Sequence, residues 1–332
     1  MRLIASLILV LVASNSYANC EIQNILGEKK ISEIINQEKK TTPLEYLHVE
    51  GVFPYNEKYK ESMQGIKDLQ VMYYNALVWK NNPKLTINFN KSKNDLLNWV
   101  KIYKPTYNPI DESNFSYLFD TYGILKNNLK EDDIRSINLF LTKWALGYNL
   151  RMEKALGKNY KYDNWNSHRV KILTMIAYTV NDEKLKEIAK KQFQIQVTNN
   201  ISNSGEVFDF KYRNALHYVV VDLQQLVDAA RISEKYNDDW YRWKAPNGAS
   251  LEKAIQWLTP YIKGDKQHEE FKNSKIQFDI IRSKGGVIGF SGKFEPKSAS
   301  KLLWSVTDLD PKYLPLAKSV AQTKSYDLSI CW

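Results

Sequence analysis

Two short segments of the chain carry residue types that suit proton transfer beside an anionic group. Residues 163–169 read Asp-Asn-Trp-Asn-Ser-His-Arg, which sets His168 among amides at the start of a predicted helix. Residues 211–218 read Lys-Tyr-Arg-Asn-Ala-Leu-His-Tyr and end on Tyr218. Imidazole and phenol groups serve as general acids and bases, and cations and amides stabilise negative charge. The two segments are therefore the leading candidates for a functional site.

Each candidate residue also has an ordinary structural interpretation. A histidine near a helix start is often a capped or packed residue, and a tyrosine such as Tyr218 in an aromatic-rich chain is often a core phenol. His217 points elsewhere on the helix and is interpreted as structural. Lysines such as Lys211 and Lys58 also occur as solvated side chains on a protein surface.

Helices are predicted to position both segments. Apolar residues recur at three- and four-residue spacing over about 57–79, 91–104, 131–156, 164–180, 182–198, 212–235, 249–263 and 297–306. On the helix that residues 211–218 open, Lys211, Asn214 and Tyr218 are spaced by three and four residues and are predicted to share one stripe. In residues 276–292 apolar residues alternate before several glycines, which predicts a short strand or an ordered loop.

The order of the predicted elements indicates one domain. No linker, composition shift or repeat of fixed period divides the chain. Consecutive helical hairpins predict an all-α fold, either a solenoid or an (α/α) toroid, which is an incomplete helical barrel of antiparallel hairpins. The predicted domain covers residues 19–332, and its concave face would gather side chains from several helices.

The two ends of the chain predict export. The segment Met1–Ala18 combines Arg2, an apolar core and small residues before a cleavage site, as a secretory signal peptide does. Asn19 before Cys20 makes a poor lipoprotein signal, so we expect a periplasmic or secreted protein. The two cysteines, Cys20 and Cys331, are expected to pair in an oxidising compartment, and the alternative is two unpaired termini. No later apolar stretch is long enough for a membrane helix.

The composition favours a polyanionic partner that contains sugar rings. Lys and Arg number 47 against 37 Asp and Glu, so the net charge is +10, and export argues against nucleic acid as the polyanion. The 21 tyrosines and 9 tryptophans fit the flat faces of a saccharide, although core packing uses aromatic rings as well. Four widely spaced histidines and the lack of a known cofactor motif predict neither metal nor cofactor. We expect a monomer without integral membrane association.

The order of these motifs resembles the alginate lyase family of helical-toroid polysaccharide lyases. The family's Asn-Asn-His motif is similar to residues 166–168, and its Arg-x-x-Arg-Ala-Leu-x-Tyr-His motif is similar to residues 211–219. Residues 57–59 resemble a Ser-Lys-Tyr element near the family's N-terminus, and residues 257–261 resemble a later family helix. The resemblance spans about residues 55–262 and implies a lyase with the (α/α)-toroid fold.

Carried over by position, the resemblance implies catalytic roles for His168 and Tyr218. Lys211 stands where the family has an arginine, and Lys58 matches a lysine that lines the cleft. The groups expected to bind the substrate and neutralise its carboxylate are Asn164, Asn166, Lys211, Arg213 and Lys58. Three positions depart from the family pattern, because Ser167 replaces an asparagine, Asn214 replaces the second arginine and Val219 replaces a histidine.

The implied reaction is β-elimination on an alginate-like polysaccharide that contains uronic acid. A base removes the proton at C5, next to the carboxylate, and an acid protonates the C4 oxygen that leaves. Tyr218 would be both groups on one face of the sugar, whereas His168 would be the base for a substrate of opposite C5 configuration. One alternative is a non-catalytic protein that binds acidic polysaccharide in an export or secretion system. Another is a glycoside hydrolase with Glu206 and Asp209 as its carboxylate pair.

Overall fold

The protein is described by a computed structural model over residues 32–33, 42–155, 162–287, 289–325 and 330–332. Its helices in these ranges are α1 (Glu57–Asn81), α2 (Thr86–Ile102), α3 (Pro109–Glu112), α4 (Ser116–Leu125), α5 (Glu131–Ala155), α6 (Asn164–Val180), α7 (Glu183–Asn200), α8 (Phe208–Arg213), α9 (Leu216–Glu234), α10 (Leu251–Lys263), α11 (Gln277–Lys284), α12 (Ser300–Thr307) and α13 (Leu314–Val320). The β-type pairing in these ranges is limited to two isolated bridges. The predicted all-α class is therefore confirmed.

Helix α6 lies at the centre of the fold, in contact with α3, α4, α5, α7 and α9. Its side chains are buried on every face, apart from Trp165 and Arg169, which are partly exposed. Most of its surface faces other helices, so its polar side chains must find hydrogen-bond partners inside the protein. The Asp163 carboxylate caps the start of the helix by accepting a hydrogen bond from the Trp165 N–H, and Asn181 ends it in the left-handed conformation.

Helices α6 and α9 run parallel and pack against each other. Near their starts the Ser167 side chain lies close enough to the Asp222 carboxylate to affect its pKa, and near their ends the ring centroids of Tyr178 and Tyr236 are 4.8 Å apart. Helix α7 runs in the opposite direction, because Gln196 near its C-terminus bonds to the start of α6. Both α6 and α9 therefore begin at the same end of the molecule.

A buried carboxylate fixes the segment that follows α3. Glu112 has no exposed surface, and its oxygens accept hydrogen bonds from Tyr103 Oη, Thr106 N and Oγ1, Tyr107 N, Trp144 Nε1 and Tyr148 Oη. These donors compensate the loss of water around the charge. Because Glu112 is the last residue of α3, the network also holds the 3-10 turn Ser113–Phe115 in place.

Glu112→Gln is expected to lower the free energy of unfolding by about 2–5 kcal/mol. The glutamine amide would direct N–H donors at groups that already donate, so that a buried group such as Trp144 Nε1 would lose its acceptor. Chemical denaturation measures the change. Glu153→Gln, on the exposed surface of α5, is the matched control and is expected to change the same free energy by less than about 0.5 kcal/mol. Equal stability of the two variants would contradict this role for Glu112.

The predicted single helix over 212–235 is wrong at its start. Asn214 adopts φ +49° between α8 and α9. Its carbonyl oxygen accepts a hydrogen bond from the distant Phe271 N–H instead of one from its own helix. Lys211 and Tyr218 therefore lie on different helices and do not share one stripe. A contact with a distant segment decides this break, so local periodicity did not indicate it.

The prediction of a short strand or an ordered loop over 276–292 is also wrong at its start, because Gln277–Lys284 form helix α11. Phe278 and Ile281 are exposed, whereas Asp279 between them is fully buried. Its Oδ1 lies 2.7 Å from Nη1 of Arg213. The ion pair between Asp279 and Arg213 therefore helps to orient this helix.

Helices α3 and α4 are absent from the sequence-based prediction. Asn108 and Pro109 are chain breakers by residue type, but here they start a helix. The Asn108 side chain accepts a hydrogen bond from the Ile110 N–H at 3.0 Å, and Pro109 occupies the first helical position, which suits its fixed φ. The turn that follows α3 contains Ser113, which contacts His168.

Several predictions fall on residues that are not described. Met1–Ala18 and Cys20 lie outside the described residues, so the signal peptide, the Cys20–Cys331 pair and the single domain over 19–332 stay predictions. Cys331 is buried, with its Sγ 3.7 Å from the Tyr73 hydroxyl. Within the described ranges, no helix has the length and apolar character needed to cross a membrane.

Candidate active site

His168 lies in the second turn of α6 and is 9% exposed. Its Nδ1 atom makes a short contact with the hydroxyl oxygen of Ser113. The same hydroxyl donates a hydrogen bond to the carbonyl oxygen of Pro109 at 2.8 Å. One nitrogen of the imidazole is thus anchored to the 3-10 turn after α3.

Tyr218 lies in the first turn of α9, partly buried under the guanidinium group of Arg213. The Arg213 Cζ atom is 3.7 Å from the centroid of the phenol ring, and Phe271 and Phe290 meet that ring edge to face at 5.9 and 6.5 Å. Burial raises the pKa of Tyr218, and the charge of Arg213 lowers it in part. The phenol is therefore protonated at neutral pH, with a cation beside it.

Arg213 is held between two carboxylates. Its Nε lies 3.2 Å from Asp209 Oδ1, and its Nη1 lies 2.7 Å from Asp279 Oδ1. Asp209 also accepts hydrogen bonds from the backbone N–H and the side-chain amide of Asn164, at 2.7 and 3.1 Å. Burial raises the pKa of Asp209 to about 7, and the charge of Arg213 opposes this shift. These contacts tie Tyr218, through Arg213, to the start of α6.

A second buried network surrounds Asn166. Its Nδ2 donates to Gln196 Oε1 at 2.6 Å, and Gln196 Nε2 donates to the Ser167 hydroxyl at 2.9 Å. On α9, Asp222 accepts a hydrogen bond from Asn200 Nδ2 at 2.6 Å. Burial raises the pKa of Asp222 well above its ordinary value. The amide of Asn166, like that of Asn164, is thus hydrogen-bonded inside the protein.

The two predicted lysines are exposed. Lys211 lies on α8, with its Nζ 6.0 Å from the centroid of the Tyr212 ring. Within the described part of the chain, no carboxylate lies at ion-pair distance from Lys211, whereas Arg213 on the same helix has two. Lys58 is exposed in the first turn of α1, and no contact between described residues joins it to His168 or Tyr218.

The three positions that depart from the family motif serve the fold. Ser167 and Val219 have no exposed surface. Asn214 forms the turn before α9, and its Oδ1 accepts a hydrogen bond from the Asn273 N–H at 3.1 Å. Their residue types therefore match a buried hydroxyl network, an apolar core and a left-handed turn.

Glu270 holds the first turn of α9 from another part of the chain. The helix begins at Ala215 without a side-chain cap of its own, and Glu270 Oε1 accepts a hydrogen bond from the His217 N–H at 3.1 Å. Burial raises the pKa of Glu270 to about 7, and the hydrogen bonds from the backbone of His217 and Leu216 act against this shift. Glu270 therefore helps to position Tyr218 one residue further along.

Sequence reasoning missed three residues that hold the site: Ser113, Glu270 and Asp279. Asp279 carried a usable signal, because a carboxylate interrupts an apolar stretch. Ser113 and Glu270 carried no such signal, because nothing in the neighbouring sequence points to their partners. Ser113 contacts a residue 55 positions away, and Glu270 contacts one 53 positions away.

Asp209, considered as half of a glycosidase pair, is 2% exposed and bound to Arg213, which is unlike an open catalytic carboxylate.

Comparison with known proteins agrees with this architecture. A crystal structure of an alginate lyase from Bacteroides ovatus matches with a TM-score of 0.63 and 13% identity, over 93% of this chain and 91% of that chain. Alginate lyase A1-III from Sphingomonas species A1 matches with a TM-score of 0.52 and 15% identity, over 76% and 78% of the two chains. A Tyr-to-Phe variant of alginate lyase A1-III, complexed with a tetrasaccharide, matches with a TM-score of 0.55 and 14% identity, over 81% and 79%.

At these identities the structural likeness concerns the fold, and it confirms the predicted (α/α) toroid. None of the curated proteins compared matches the chain. A family model for alginate lyase matches residues 25–268, which is more than half of the chain and includes both His168 and Tyr218. The chain therefore belongs to the alginate lyase family of polysaccharide lyases.

Proposed function

We propose that the protein cleaves an alginate-like acidic polysaccharide that contains uronic acid, and that it does so by β-elimination. The observation that carries the proposal is the placement of His168 and Tyr218 at the adjacent starts of two parallel helices, in a chain of the alginate lyase family. The tetrasaccharide complex of the A1-III variant supports a saccharide substrate. The net charge of +10 supports an anionic one.

β-Elimination begins with removal of the proton on C5, next to the sugar carboxylate. The electron pair of that C–H bond forms the C4–C5 double bond while the C4–O bond breaks, and the leaving oxygen takes up a proton. Negative charge develops on the carboxylate, so cations or hydrogen-bond donors must be placed around it. A positioned acid and a positioned base each contribute about 10²–10⁴-fold to the rate.

Tyr218 is the acid in this proposal. Burial keeps its phenol protonated, and the guanidinium group of Arg213 would stabilise the phenolate that remains after proton transfer. Where the C5 proton and the C4 oxygen lie on one face of the sugar, Tyr218 serves as both base and acid only after its phenol has released its own proton to solvent, a step that the raised pKa of Tyr218 makes less favourable. Where they lie on opposite faces, His168 removes the proton and Tyr218 protonates the oxygen.

The exposed lysines are the proposed direct contacts of the substrate carboxylates. Lys211 has no carboxylate partner in the described ranges, so its charge is available to an anion, and Lys58 is exposed in the same way. Asn164, Asn166 and Arg213 were predicted for this task. Their described contacts support a positioning role instead. The two asparagines hold the first turn of α6, and Arg213 holds the phenol of Tyr218.

The test is incubation of the purified protein with a panel of acidic polysaccharides while ultraviolet absorbance is followed. A lyase creates an unsaturated uronate that absorbs, so a steady rise on at least one polyuronate is expected. Binding without a rise in absorbance would favour the non-catalytic polysaccharide-binding alternative, and new reducing ends without absorbance would favour a hydrolase. The departures from the family motif at Ser167, Asn214 and Val219 are what keep the binding alternative under test.

Lys211→Ala is expected to lower kcat/KM on the cleaved polyuronate by about 10- to 10²-fold, because a hydrogen bond to a charged group contributes about 1.5–3 kcal/mol. Lys211→Arg keeps the charge and should retain most of the activity. The matched control is Lys191→Ala, an exposed lysine on α7. Initial rates by absorbance measure all three variants. If Lys211→Ala and Lys191→Ala both behave like the unmodified protein, Lys211 is not the carboxylate contact.

A further inference from the structure

We propose that Ser113 is a positioning residue that fixes the tautomer of His168, with the imidazole hydrogen on Nδ1 and the basic lone pair on Nε2. The inference rests on the proposed function only for its catalytic consequence. Its structural content concerns three atoms: Pro109 O, Ser113 Oγ and His168 Nδ1.

The assignment follows from counting hydrogens. A serine hydroxyl has one hydrogen to donate and can also accept. Its oxygen lies 2.8 Å from the carbonyl oxygen of Pro109, and a carbonyl oxygen can only accept, so the hydrogen of Ser113 lies between those two oxygens. The contact between Ser113 Oγ and His168 Nδ1 then needs a hydrogen from the imidazole. The neutral ring therefore carries its hydrogen on Nδ1.

The opposite tautomer would be costly at this position. If Nδ1 were unprotonated, either its lone pair would face the serine oxygen, or the serine hydrogen would turn towards it and leave two oxygens in contact at 2.8 Å. The backbone of Ser113 has little freedom to move away from His168. Ser113 follows directly after Glu112, whose carboxylate is bound to donors from α5 and from the loop before α3.

The consequence for the reaction is that Nε2 is the proton acceptor. A neutral imidazole can remove a proton only through the nitrogen that lacks one, so the tautomer decides which side of the ring is basic. Ser113 therefore acts on the rate through His168 and contacts no reacting atom. Its effect is expected only for substrates in which His168 is the base.

The experiment measures the tautomer directly. Histidine labelled with ¹⁵N is incorporated into the full-length protein, the signal of His168 is assigned with the His168→Gln variant, and spectra are recorded above the pH at which the ring titrates. We expect Nδ1 to show the shift of a protonated nitrogen and Nε2 that of an unprotonated one. Ser113→Ala should move population to the Nε2–H tautomer, and Ser113→Thr, which keeps the hydroxyl, should restore the original signals.

The rate of cleavage is a second, independent test of the role of Ser113. Ser113→Ala should lower kcat by about 10- to 10²-fold on the C5 configuration that needs His168, which is less than the 10²–10⁴-fold expected for loss of a base. Its pH–rate profile should shift, and Ser113→Thr should regain the rate. A protonated Nε2 in the unmodified protein, or an unchanged tautomer in Ser113→Ala, would overturn the proposal. Absence of turnover with the expected tautomer would instead refute only the proposed function.

Discussion

Tyr218→Phe is expected to lower kcat on every cleaved polyuronate by about 10³-fold or more, within the range for loss of a positioned acid or base. The substitution removes only the hydroxyl group. The ring keeps its place under Arg213 and its edge contacts with Phe271 and Phe290, so stability and polymer affinity should change little. The effect spans all substrates because Tyr218 is the acid in both versions of the mechanism.

Initial rates by ultraviolet absorbance measure the loss, and circular dichroism with calorimetric titration of an oligosaccharide measures fold and binding. Tyr212→Phe is the matched control, because Tyr212 is an exposed tyrosine on the neighbouring helix α8. It should leave the rate within a factor of about two, since an exposed hydroxyl away from the reacting atoms contributes little. Full activity in the Tyr218→Phe protein would refute the assigned mechanism.

His168→Ala is expected to divide the substrates by their configuration at C5. On the polyuronate whose C5 proton lies opposite the leaving oxygen, kcat should fall by about 10²–10⁴-fold, because the base is lost. On the polyuronate with both groups on one face, the fall should be smaller, since in the proposed mechanism His168 does not remove the C5 proton there. Poly-mannuronate and poly-guluronate differ in this configuration and are the paired substrates.

The control for His168→Ala is His48→Ala, at a histidine whose side chain is about half exposed and 3.6 Å from Asp111. It should leave the ratio of rates on the two polymers unchanged. The ratio is the informative measurement, because general damage to the fold would lower both rates together. An equal loss on the two polymers in His168→Ala would show that His168 has no configuration-dependent role.

The charge of Arg213 and the burial of the phenol act in opposite directions on the pKa of Tyr218. The guanidinium of Arg213 lies over the phenol, but it is paired with Asp209 and Asp279, so the local field is smaller than that of a lone cation. Burial nevertheless dominates the pKa of Tyr218 and keeps it raised. A resting phenol that holds its proton fits an acid better than a base, which is why the acid role is common to both versions.

Much of the helical framework was predictable from apolar spacing. Helices α1, α5, α6 and α7 begin and end within about two residues of the predicted segments. The spacing of apolar residues is a local property of the sequence. It therefore predicts a helix even when the surface against which the helix packs is not known. The same reasoning failed at Asn214, where a distant Phe271 N–H takes the carbonyl oxygen and breaks the helix.

The motif comparison predicted two candidate catalytic side chains, but not the contacts that hold them in place. His168 and Tyr218 stand in recognisable sequence contexts, and both lie at helix starts at one end of the molecule. The amides around His168 were expected to face a substrate. Instead, the Asn164 amide donates to Asp209 and the Asn166 amide donates to Gln196. A polar residue type does not reveal whether its partner is solvent, substrate or another side chain.

The sequence by itself determined that the chain is all-α and that it resembles alginate lyases, and it predicted that His168 and Tyr218 lie on two separate helices. Only the tertiary structure decided which charges are already paired and which nitrogen of His168 meets Ser113. The physical reason is that a hydrogen bond or an ion pair depends on a distance in space. Arg213 and Asp279, for example, are 66 residues apart in the chain and 2.7 Å apart in the fold.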